Sequence, residues 1–563
     1  MLFYIFYVYM NICSFVFLYY AKRLPLSRFF LVSTKSNVSI DRIRIKKYIV
    51  TVNRNNLKLA EVIDLSLRNK MIKRNDSIYL SLPSDRYTPF SLARKIGAKA
   101  ILESARFNMG KERYSILMAE DAFHILQDDE GIAFIIDGRR VPFTAQTAES
   151  TGSEIEMIAP GSTVPHTPDI LDALLYVARE NELPVKNIPV PASGVGYLSY
   201  EFCARCDTIN LAPQTDELKI PESEFVVGHL YIVFDHFTET LHIFALNYME
   251  HQIDLNKAVE NLKSRLSDLD FSYLAPPEEA KPCRTITDLA VSEKEYKEKV
   301  LALKKDIIAG NIFQAVPSRR LQIENENSAL EIYRRLRSVN PSPYLLYIDF
   351  GDRQLVGSSP ESLVRVREGT ASIRPIAGTR RRGKNAAEDE TLKAELLADA
   401  KEKSEHLMLV DLARNDLGRV CEPGSVEVTR YMDCEFFSHV MHLVSDVQGK
   451  VKDGMKQIQV LRSAFPAGTV SGSPKISAIE ILSRLEKVKR RFYAGAIGYL
   501  QTNGDLDFCI GIRCALKQEN TWTLQAGGGI VFDSNPDREW EETNEKLGAL
   551  RAVIEGTKTA PKQ

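Results

Sequence analysis

The sequence predicts a mixed fold of helices and strands rather than a regularly alternating one. Strand-like and helix-like segments follow one another without a repeated strand–helix–strand rhythm, which argues against a doubly wound parallel sheet. Apolar residues make up 44% of the 563 residues and charged residues 26%, values typical of a packed soluble protein. A proline-rich, charged stretch at residues 275–284 (APPEEAKPCR) is typical of a linker and divides the chain into two large halves.

Charge and cysteine content exclude several classes of protein. Lys and Arg together number 73 and nearly balance 74 Asp and Glu, so no overall charge favours binding to nucleic acid. Eight cysteines in so long a chain do not form a disulfide scaffold, and we expect reduced thiols in the cytoplasm. Cys203 and Cys206 form a Cys-x-x-Cys pair, but no second pair follows at zinc-like spacing, so we interpret it as incidental.

The N-terminus carries an almost wholly apolar run at residues 2–20, followed by Lys22 and Arg23. Its length could just span a bilayer, but Asn11 and Ser14 interrupt it. No basic residues precede it, unlike a secretory signal. A bias towards Phe, Tyr, Ile, Asn and Lys continues to about residue 78. We interpret residues 1–70 as an extension outside the working protein, dispensable or set by too early a start, and do not expect a membrane anchor.

The first half is predicted to contain short strands and a few helices. The predicted strands are residues 78–82, 100–103, 114–118, 133–137, 225–235 and 240–246. A helix is predicted to begin near Thr88 and Pro89, and two others cover residues 168–181 and 254–270. Residues 145–167 are rich in Ser, Thr, Pro and Gly and are predicted to form a loop.

The second half is predicted to open with a helix over residues 292–309, in which Ser292 and Glu295 would form a capping box. Two pairs of glutamates follow on later helices, Glu402 with Glu405 and Glu539 with Glu542. A spacing of three places both carboxylates of a pair on one helix face. Each pair alone is typical of a solvated surface; two pairs facing each other would hold Mg²⁺ through oxygen ligands.

Two loops of small residues could bind anions. Residues 525–531 (QAGGGIV) contain three consecutive glycines, whose N–H groups can approach an anion closely, although such runs are as often tight turns. Residues 465–475 (FPAGTVSGSPK) lead into a helix N-terminus, which favours anions but also suits a plain capped helix. His442 lies in a strand-like run, where a buried structural histidine is the common alternative to a catalyst.

Taken together, the motifs resemble the chorismate-utilising enzymes, and in particular the large component of anthranilate synthase. The resemblance extends from about residue 78 to 556. Its marks are GNIFQAVPSRR, NPSPYLLYIDF, SSPESLVRV, RPIAGTRRRG, SEHLMLVDLARNDLGRV, FPAGTVSGSPK, YAGAIGYL, DLDFCIGIR, QAGGGIV and WEETNEKLGALR. It implies an α+β fold with two large mixed β-sheets packed face to face and helices outside. It also implies a regulatory lobe at 71–274, a linker at 275–290 and a chorismate-binding catalytic domain at 291–558.

The family reaction implies roles for residues of this chain. Chorismate and ammonia give anthranilate and pyruvate, the first step of tryptophan biosynthesis. Mg²⁺ would be held by Glu405 and Glu542, with Glu402 and Glu539 nearby. Glu361 matches the acid that protonates the leaving hydroxyl, and His442 the residue needed for loss of pyruvate. The residues implied to bind substrate are Gly378, Thr379, Thr469, Tyr493, Arg513, Gly527, Gly529 and Lys546.

Two positions distinguish the relatives within this family. Aminodeoxychorismate synthases usually carry a nucleophilic Lys where this chain has Ala377, and isochorismate and salicylate synthases a Lys base where it has Gln314. Without either lysine, ammonia must be the nucleophile. The resemblance therefore favours anthranilate synthase. Aminodeoxychorismate synthase component I is the alternative, because some members of that branch also lack the Lys; a tryptophan-sensing relative without catalysis and a membrane-tethered scaffold are weaker interpretations.

The resemblance also implies an inhibitor and a partner. Tryptophan would bind through residues 101–104 (ILES) and the NPSPY motif, with Glu103 attracting its ammonium group. The implied tryptophan-binding residues are Glu103, Ser104, Asn340, Pro341, Ser342, Tyr344, Tyr499 and Cys509. The chain has no glutaminase cysteine in a Gly-x-Cys-x-Gly context. A separate glutamine amidotransferase subunit (anthranilate synthase component II) is therefore the expected source of ammonia.

Overall fold

The computed structural model describes residues 76–106, 110–111, 113–143, 168–185, 187–268, 276–436 and 440–557, with four short strands before residue 53. The chain forms two units, Met1–Lys73 and Arg74–Gln563. In the first, β1 (Phe15–Phe17) pairs with β4 (Val50–Val52), and β2 (Leu31–Ser33) with β3 (Ser36–Val38). Apart from β1, the apolar run at 2–20 lies outside the described residues, as does the predicted loop at 145–167.

The second unit contains eleven helices and twenty-five strands within its described part. The helices are α1 Pro89–Ile96, α2 Ile170–Ala178, α3 Cys203–Cys206, α4 Leu255–Ser267, α5 Leu289–Ile308, α6 Ala329–Val339, α7 Ala386–Ala398, α8 Ala400–Gly418, α9 Gln457–Ala464, α10 Lys475–Glu486 and α11 Pro536–Glu555. The strands are β5 Ser77–Pro83, β6 Ala100–Glu103, β7 Ala105–Arg106, β8 Gly110–Lys111, β9 Tyr114–Asp128, β10 Gly131–Ile136, β11 Arg139–Pro142, β12 Val195–Leu198, β13 Ser223–Asp235, β14 Thr240–Leu246, β15 Cys283–Thr285, β16 Gln314–Ala315, β17 Ser318–Asn325, β18 Tyr344–Asp349, β19 Arg353–Ser359, β20 Ser362–Arg367, β21 Thr370–Ile373, β22 Ile376–Arg381, β23 Glu427–Phe436, β24 Val440–Lys450, β25 Gly472–Ser473, β26 Ala496–Leu500, β27 Leu506–Ile510, β28 Cys514–Gln518 and β29 Thr521–Gly527.

Two long strands, β9 and β13, belong to both of two large sheets. The first half of β13 pairs with β12 and the second half with β14, and register shifts between Val227 and Tyr231 mark the change. One sheet has the order β11-β10-β9-β13-β12-β26-β27-β20-β21-β24, with β22 and β23 also paired to β24. The other has the order β5-β14-β13-β9-β6-β18-β19-β28-β29-β17-β15. The predicted α+β class is therefore confirmed.

The strands differ from the expectation in direction. Every pair of described strands is antiparallel, so the sheets are not mixed. The cause is local, since strands such as β9 and β10, or β13 and β14, are joined by short turns, and a two-residue hairpin can only reverse the chain. In β13 every residue is buried, without the usual alternation of buried and exposed side chains, because both faces of this shared strand are covered.

Alternating side chains divide the core into layers. In β13, Ile232 and Phe234 face a cluster that includes residues of α1, α4, α6 and α11, whereas Tyr231 and Val233 face the opposite side. That second side joins residues of both sheets, so the main core lies between them. Each fully buried aliphatic side chain stabilises the fold by about 1.5–3 kcal/mol. The helices thus lie outside the β5–β15 sheet, as expected.

Two local predictions need correction or qualification. Helix α5 begins at Leu289, not at Ser292, because the carboxylate of Asp288 accepts from the N–H groups of Ala290 and Val291 and caps the helix one turn earlier. Ser292 is inside the helix and does not form the capping box. Within the proposed linker, β15 pairs with β17, and strands of both halves share the sheets. The division into lobe, linker and catalytic domain stays a prediction.

None of the helices in the described part of the chain has the length and hydropathy that crossing a membrane requires.

Candidate active site

The first pair of glutamates lies in the first two turns of α8. The side chain of Asp399 caps this helix by accepting from the N–H groups of Lys401 and Glu402. Arg380 donates to Glu402 at 3.2 Å and to Asp399 at 2.7 Å, which fixes the direction of the Glu402 carboxylate. Burial, followed by the charge of Glu402, raises the pKa of Glu405 above its usual range.

The second pair lies at the start of α11, which Asn535 caps. Glu539 is 8% exposed, and its Oε2 has no hydrogen-bond partner among the described residues. Burial raises the pKa of Glu539, and the charge of Glu542 adds to the effect. Glu542 pairs with the Lys546 ammonium at 2.7 Å, one turn further along the helix. Both carboxylates approach Gly528, where a Cβ would lie 3.1 Å from Glu539 Oε2 and 3.6 Å from Glu542 Oε1.

The two pairs act on each other electrostatically. The charges of Glu542 and Lys546 both affect the pKa of Glu405, across the gap between α8 and α11. Burial, and after it the negative charge gathered at the site, raises the pKa of Glu405 and of Glu539. As the side chains stand, no group of three acidic, histidine or cysteine residues in the described ranges is arranged to hold a metal ion. The donors nevertheless fit a hard divalent cation, since one buried carboxylate oxygen lacks a partner and the Lys546 ammonium lies where a cation would be favoured.

His442 lies on β24 opposite Thr379 of the neighbouring strand β22. Its Nδ1 is 3.1 Å from the carbonyl of Gly378 and 3.1 Å from Thr379 Oγ1. A carbonyl only accepts, so Nδ1 carries the proton and Nε2 the lone pair. Burial lowers the pKa of His442, and the charge of Arg513 lowers it further. The imidazole is therefore neutral at physiological pH and can act as a base.

Gly378 is required at a bulge in β22. Its φ is +63°, and a Cβ there would lie 3.2 Å from Leu443 and 3.3 Å from Glu402 Oε2. A larger residue would strain the backbone and displace the Glu402 carboxylate. The bulge thus brings the histidine and the first acidic pair to one place.

Tyr493, Arg513, Gly527 and Lys546 form a second cluster, next to the second acidic pair. Lys546 Nζ donates to the Gly527 carbonyl at 2.8 Å, and the Arg513 guanidinium donates to the Lys546 carbonyl. A Cβ on Gly527 would lie 3.1 Å from the Tyr493 hydroxyl. Burial lowers the pKa of Arg513 and raises that of Tyr493 to about 12. Arg513 has a φ of +53°, a costly conformation for a residue with a side chain and one that recurs at functional sites.

Gln314 and Glu361 complete the site. A Cβ on Gly529 would lie 2.5 Å from Gln314 Nε2, so a side chain at this position would displace the Gln314 amide. Thr469 Oγ1 donates to Glu361 Oε1 at 2.9 Å. Burial raises the pKa of Glu361 to about 7, although the Thr469 bond and the Lys546 charge oppose the shift. Glu361 and Thr469 also line a largely apolar cleft with about 380 Å³ of empty space.

The implied tryptophan residues are brought together in two adjoining groups. The Ser342 carbonyl accepts from the Ala105 N–H, and the Ser342 hydroxyl lies 2.8 Å from that of Ser358, which donates to the Asn340 carbonyl; Pro341 lies between Asn340 and Ser342. Tyr344 donates to Asp507, which pairs in the sheet with Tyr499, and Cys509 follows on the same strand. Ser104 Oγ is buried and lacks a partner among the described residues.

Glu103 has a different environment from the one the resemblance implies. Its carboxylate accepts from Tyr333 at 2.6 Å and from Arg337 at 3.0 Å, both on α6. Because successive residues of an extended chain point to opposite faces, Glu103 faces the helices while Ser104 faces the core between the sheets. A ligand at Ser104 would therefore not meet the Glu103 carboxylate in this arrangement.

Three site residues were not found from the sequence. Arg380 orients Glu402; three consecutive arginines in RPIAGTRRRG were the available signal. Tyr296 of α5 places its hydroxyl 3.3 Å from a Cβ on Gly528, but at an apolar helix position it gave no signal. Arg490 lies beneath Tyr493 and is fully buried. Its sequence neighbours, Lys489 and Arg491, are charged, so nothing predicted that burial.

The chain is similar to known proteins along most of its length. The chorismate binding enzyme family matches residues 133–552. Anthranilate synthase component 1 of Spirochaeta aurantia is 50% identical over 475 residues, which cover 84% of this chain and 94% of that protein. The Aquifex aeolicus protein of that name is 35% identical over 512 residues, covering 89% and 98%.

Solved structures give the same result. Anthranilate synthase component I of Streptococcus pneumoniae matches with a TM-score of 0.65 and 32% identity, covering 78% of this chain and 92% of that one. The menaquinone-specific isochorismate synthase of Escherichia coli matches with a TM-score of 0.60 over 88% of this chain and 100% of that one; at 16% identity it shows the fold alone.

The chain belongs to the family of chorismate-binding enzymes, and it is an enzyme that acts on chorismate. Within that family, three relatives that are 35–50% identical to this chain and are covered over 94–98% of their length carry the name anthranilate synthase component 1.

Proposed function

We propose that this enzyme converts chorismate and ammonia to anthranilate and pyruvate. The observation that carries the proposal is the pair of residues Gln314 and Ala377, which stand where relatives with other reactions have lysines. Gln314 lies against Gly529, and Ala377 precedes the bulge at Gly378. Neither position supplies a protein nucleophile or a strong base for water. Ammonia from outside the protein is then the nucleophile, as the names of the closely similar relatives suggest.

The two carboxylates of chorismate need separate partners. Arg513 offers a guanidinium fork, which matches a carboxylate, and the nearby Tyr493 hydroxyl adds a donor. The low pKa of Arg513 for its type reflects a buried cation without a full set of counter-charges, so a substrate carboxylate would be favoured there. Lys546, which donates to the Gly527 carbonyl, would add a second positive charge near that substrate carboxylate.

Acid and base groups are available for the two stages of the reaction. Hydroxide is a poor leaving group, and Glu361, with its pKa raised to about 7, retains a proton that it can donate to the 4-hydroxyl. Neutral His442 can then accept the ring proton as pyruvate is eliminated, because Nδ1 donates to Gly378 and Nε2 holds the lone pair. The two groups have pKa shifts in opposite directions, which suits one donor and one acceptor.

Magnesium would be held by Glu405 and Glu542, with Glu402 and Glu539 beside them. When bound, the ion would supply positive charge for the ring carboxylate of the substrate. Glu542 would have to leave Lys546 to bind it, and the Lys546 ammonium, which would keep its bond to Gly527, could then turn to the substrate. The raised pKa values of Glu405 and Glu539 support the proposal, because burial and then the neighbouring carboxylates disfavour their charged forms, and a bound cation would favour those forms.

The proposal extends to supply and regulation. The name component 1 implies a second subunit, and we propose a glutamine amidotransferase that provides ammonia. Tryptophan is proposed as an inhibitor that binds at Ser104, whose buried hydroxyl lacks a partner among the described residues. We propose a cytoplasmic location, which the seven free cysteines of the described residues suit.

Incubation of the purified chain with chorismate, Mg²⁺ and an ammonium salt at mildly alkaline pH tests the reaction. We expect anthranilate fluorescence and one pyruvate released for each chorismate consumed. The Glu361→Gln variant should lose the activity, whereas Glu427→Gln, on an exposed strand position, should keep it. Consumption of chorismate without pyruvate would instead identify an aminodeoxychorismate synthase, and formation of isochorismate would contradict the assignment of Gln314.

A further inference from the structure

A fully buried ion pair lies directly beneath the candidate active site. The side chains of Arg490 and Glu486 are 1% and 2% exposed, and the pair joins at 2.7 Å and 2.8 Å through both carboxylate oxygens. Burial would raise the pKa of Glu486, but the charge of Arg490 outweighs it and holds that pKa below its usual range. The pair is therefore ionised inside the protein, where charge is costly.

The guanidinium of Arg490 contacts three separate parts of the site. It donates to the Val470 carbonyl at 2.9 Å and to the Val316 carbonyl at 2.6 Å. Val470 follows Thr469, the residue that donates to Glu361, and Val316 lies two residues after Gln314. The same guanidinium is 5.7 Å from the ring centroid of Tyr493 and 4.4 Å from that of Tyr200.

The carboxylate of Glu486 contacts a fourth part of the candidate site, the strand that pairs with the start of the glycine loop. It accepts from the N–H of Ser318 at 2.7 Å and from its hydroxyl at 2.8 Å. Ser318 pairs in the sheet with Gly527, at the start of the glycine loop, and its hydroxyl also accepts from Gln525. Segments far apart in sequence thus converge on one pair of charges.

We propose that Arg490 and Glu486 are positioning residues, which fix the Thr469 turn, the Gln314 strand, the Tyr493 ring and the glycine loop relative to one another. The inference rests on the proposed function only in the roles given to those four parts. Arg490 acts through them and does not reach the substrate. A planar guanidinium directs its donors in fixed directions, which an apolar side chain of similar volume cannot do.

A purely structural role makes a different prediction. Replacing both members of a buried pair by apolar residues is often neutral for stability. If the pair only fills space, an Arg490→Met, Glu486→Met double variant should regain both stability and turnover. If the pair positions the site, the double variant should be stable but slow, because a displacement of 1 Å costs about 100-fold in rate.

The experiment compares three variants of the full chain: Arg490→Lys, the Arg490→Met, Glu486→Met double variant and, as a matched control, Arg462→Lys. Arg462 is equally buried, pairs with Asp169, and contacts none of the four parts. Chorismate consumption and the melting temperature are measured for each. Consumption is used because it reports any reaction on chorismate; a wild type that consumes chorismate without making anthranilate would refute the proposed function but not this inference.

We expect Arg490→Lys and the double variant to lose about 10- to 100-fold in kcat and to show a raised KM for chorismate. The double variant should melt near the wild-type temperature, and Arg462→Lys should keep wild-type kcat. Wild-type turnover in the double variant or in Arg490→Lys would overturn the proposal. An equal loss in Arg462→Lys would also overturn it, because buried charge in general would then explain the effect.

Discussion

At the scale of single residues, burial suits Glu361 to donate a proton and His442 to accept one. Burial favours the neutral form of both, which raises the pKa of the carboxyl and lowers that of the imidazole. One group therefore keeps a proton to give and the other a lone pair to receive one. Opposite shifts in neighbouring groups are the usual mark of an acid and base pair. Neither shift could be predicted from the sequence, because each depends on which distant segments cover the group.

Glu361 predicts the pH dependence of catalysis. An acid must be protonated to act, and ionisation proceeds as pH rises through a pKa of about 7. With free ammonia held constant, kcat/KM for chorismate should therefore fall above about pH 7, since this ratio reports the free enzyme. The bond from Thr469 lowers the pKa of Glu361, so Thr469→Val should move the fall to higher pH. Glu361→Gln should cost about 10²- to 10⁴-fold at every pH; a fall left in place by Thr469→Val would argue against Glu361 as the acid.

At the scale of elements, the site depends on two helices that bring like charges together. The sequence predicted each pair from a spacing of three residues, and the structure confirms that both pairs lie near the starts of helices. The spacing of the glutamates did not predict that Glu542 pairs with Lys546 or that Arg380 donates to Glu402. The spacing indicated a metal, and these two side-chain contacts occupy carboxylates that the metal would bind. The predicted start of α5 was wrong. Ser292 and Glu295 match the capping-box pattern, but the helix begins earlier because Asp288 accepts from the N–H groups of Ala290 and Val291.

Magnesium should bind between these two helices and raise the melting temperature of the wild type, because a ligand of the folded state stabilises it. Glu405→Gln should abolish that rise and reduce activity by more than the ~10- to 100-fold typical of losing an outer partner of a metal. Chelator should inactivate the wild type. Glu541→Gln is the control, since Glu541 is adjacent to Glu542 but exposed on the same helix. A melting temperature that responds to Mg²⁺ equally in both variants would place the ion elsewhere.

At the scale of the whole molecule, β6 lies between two environments, with helices on one side and the core between the sheets on the other. The strand β6 presents Glu103 to the helices, and the next residue, Ser104, faces the core between the sheets. The sequence motif predicted the position of this segment but not the side to which each residue points. The overall fold was predicted from the resemblance and not from the periodicity of the sequence. The two sheets share β9 and β13, and the only local sign of this in β13 is that all its residues are buried.

Tryptophan inhibition tests which face of β6 binds the ligand. Ser104→Arg would put a large cation at the proposed binding position, so inhibition should weaken by at least 10-fold, about 1.4 kcal/mol, while turnover of chorismate survives. Glu103→Gln should leave inhibition nearly unchanged but lower the melting temperature, because it removes the partner of Arg337 and Tyr333. Loss of inhibition in Glu103→Gln with stability intact would show that the carboxylate turns to the ligand. Chorismate and tryptophan should weaken each other's binding by the same factor.

Every residue placed in either candidate site belongs to the compact unit Arg74–Gln563, and none belongs to the unit Met1–Lys73. We therefore predict that a shortened chain beginning at Met71 is soluble and turns over chorismate at the full-length rate. A chain beginning at Thr88 is the matched control. It lacks β5, which pairs with β14 along all seven of its residues, so the edge of β14 would be left unpaired. That chain should aggregate or melt at a lower temperature. If the chain from Met71 behaved in the same way, residues before it would be needed by the catalytic unit.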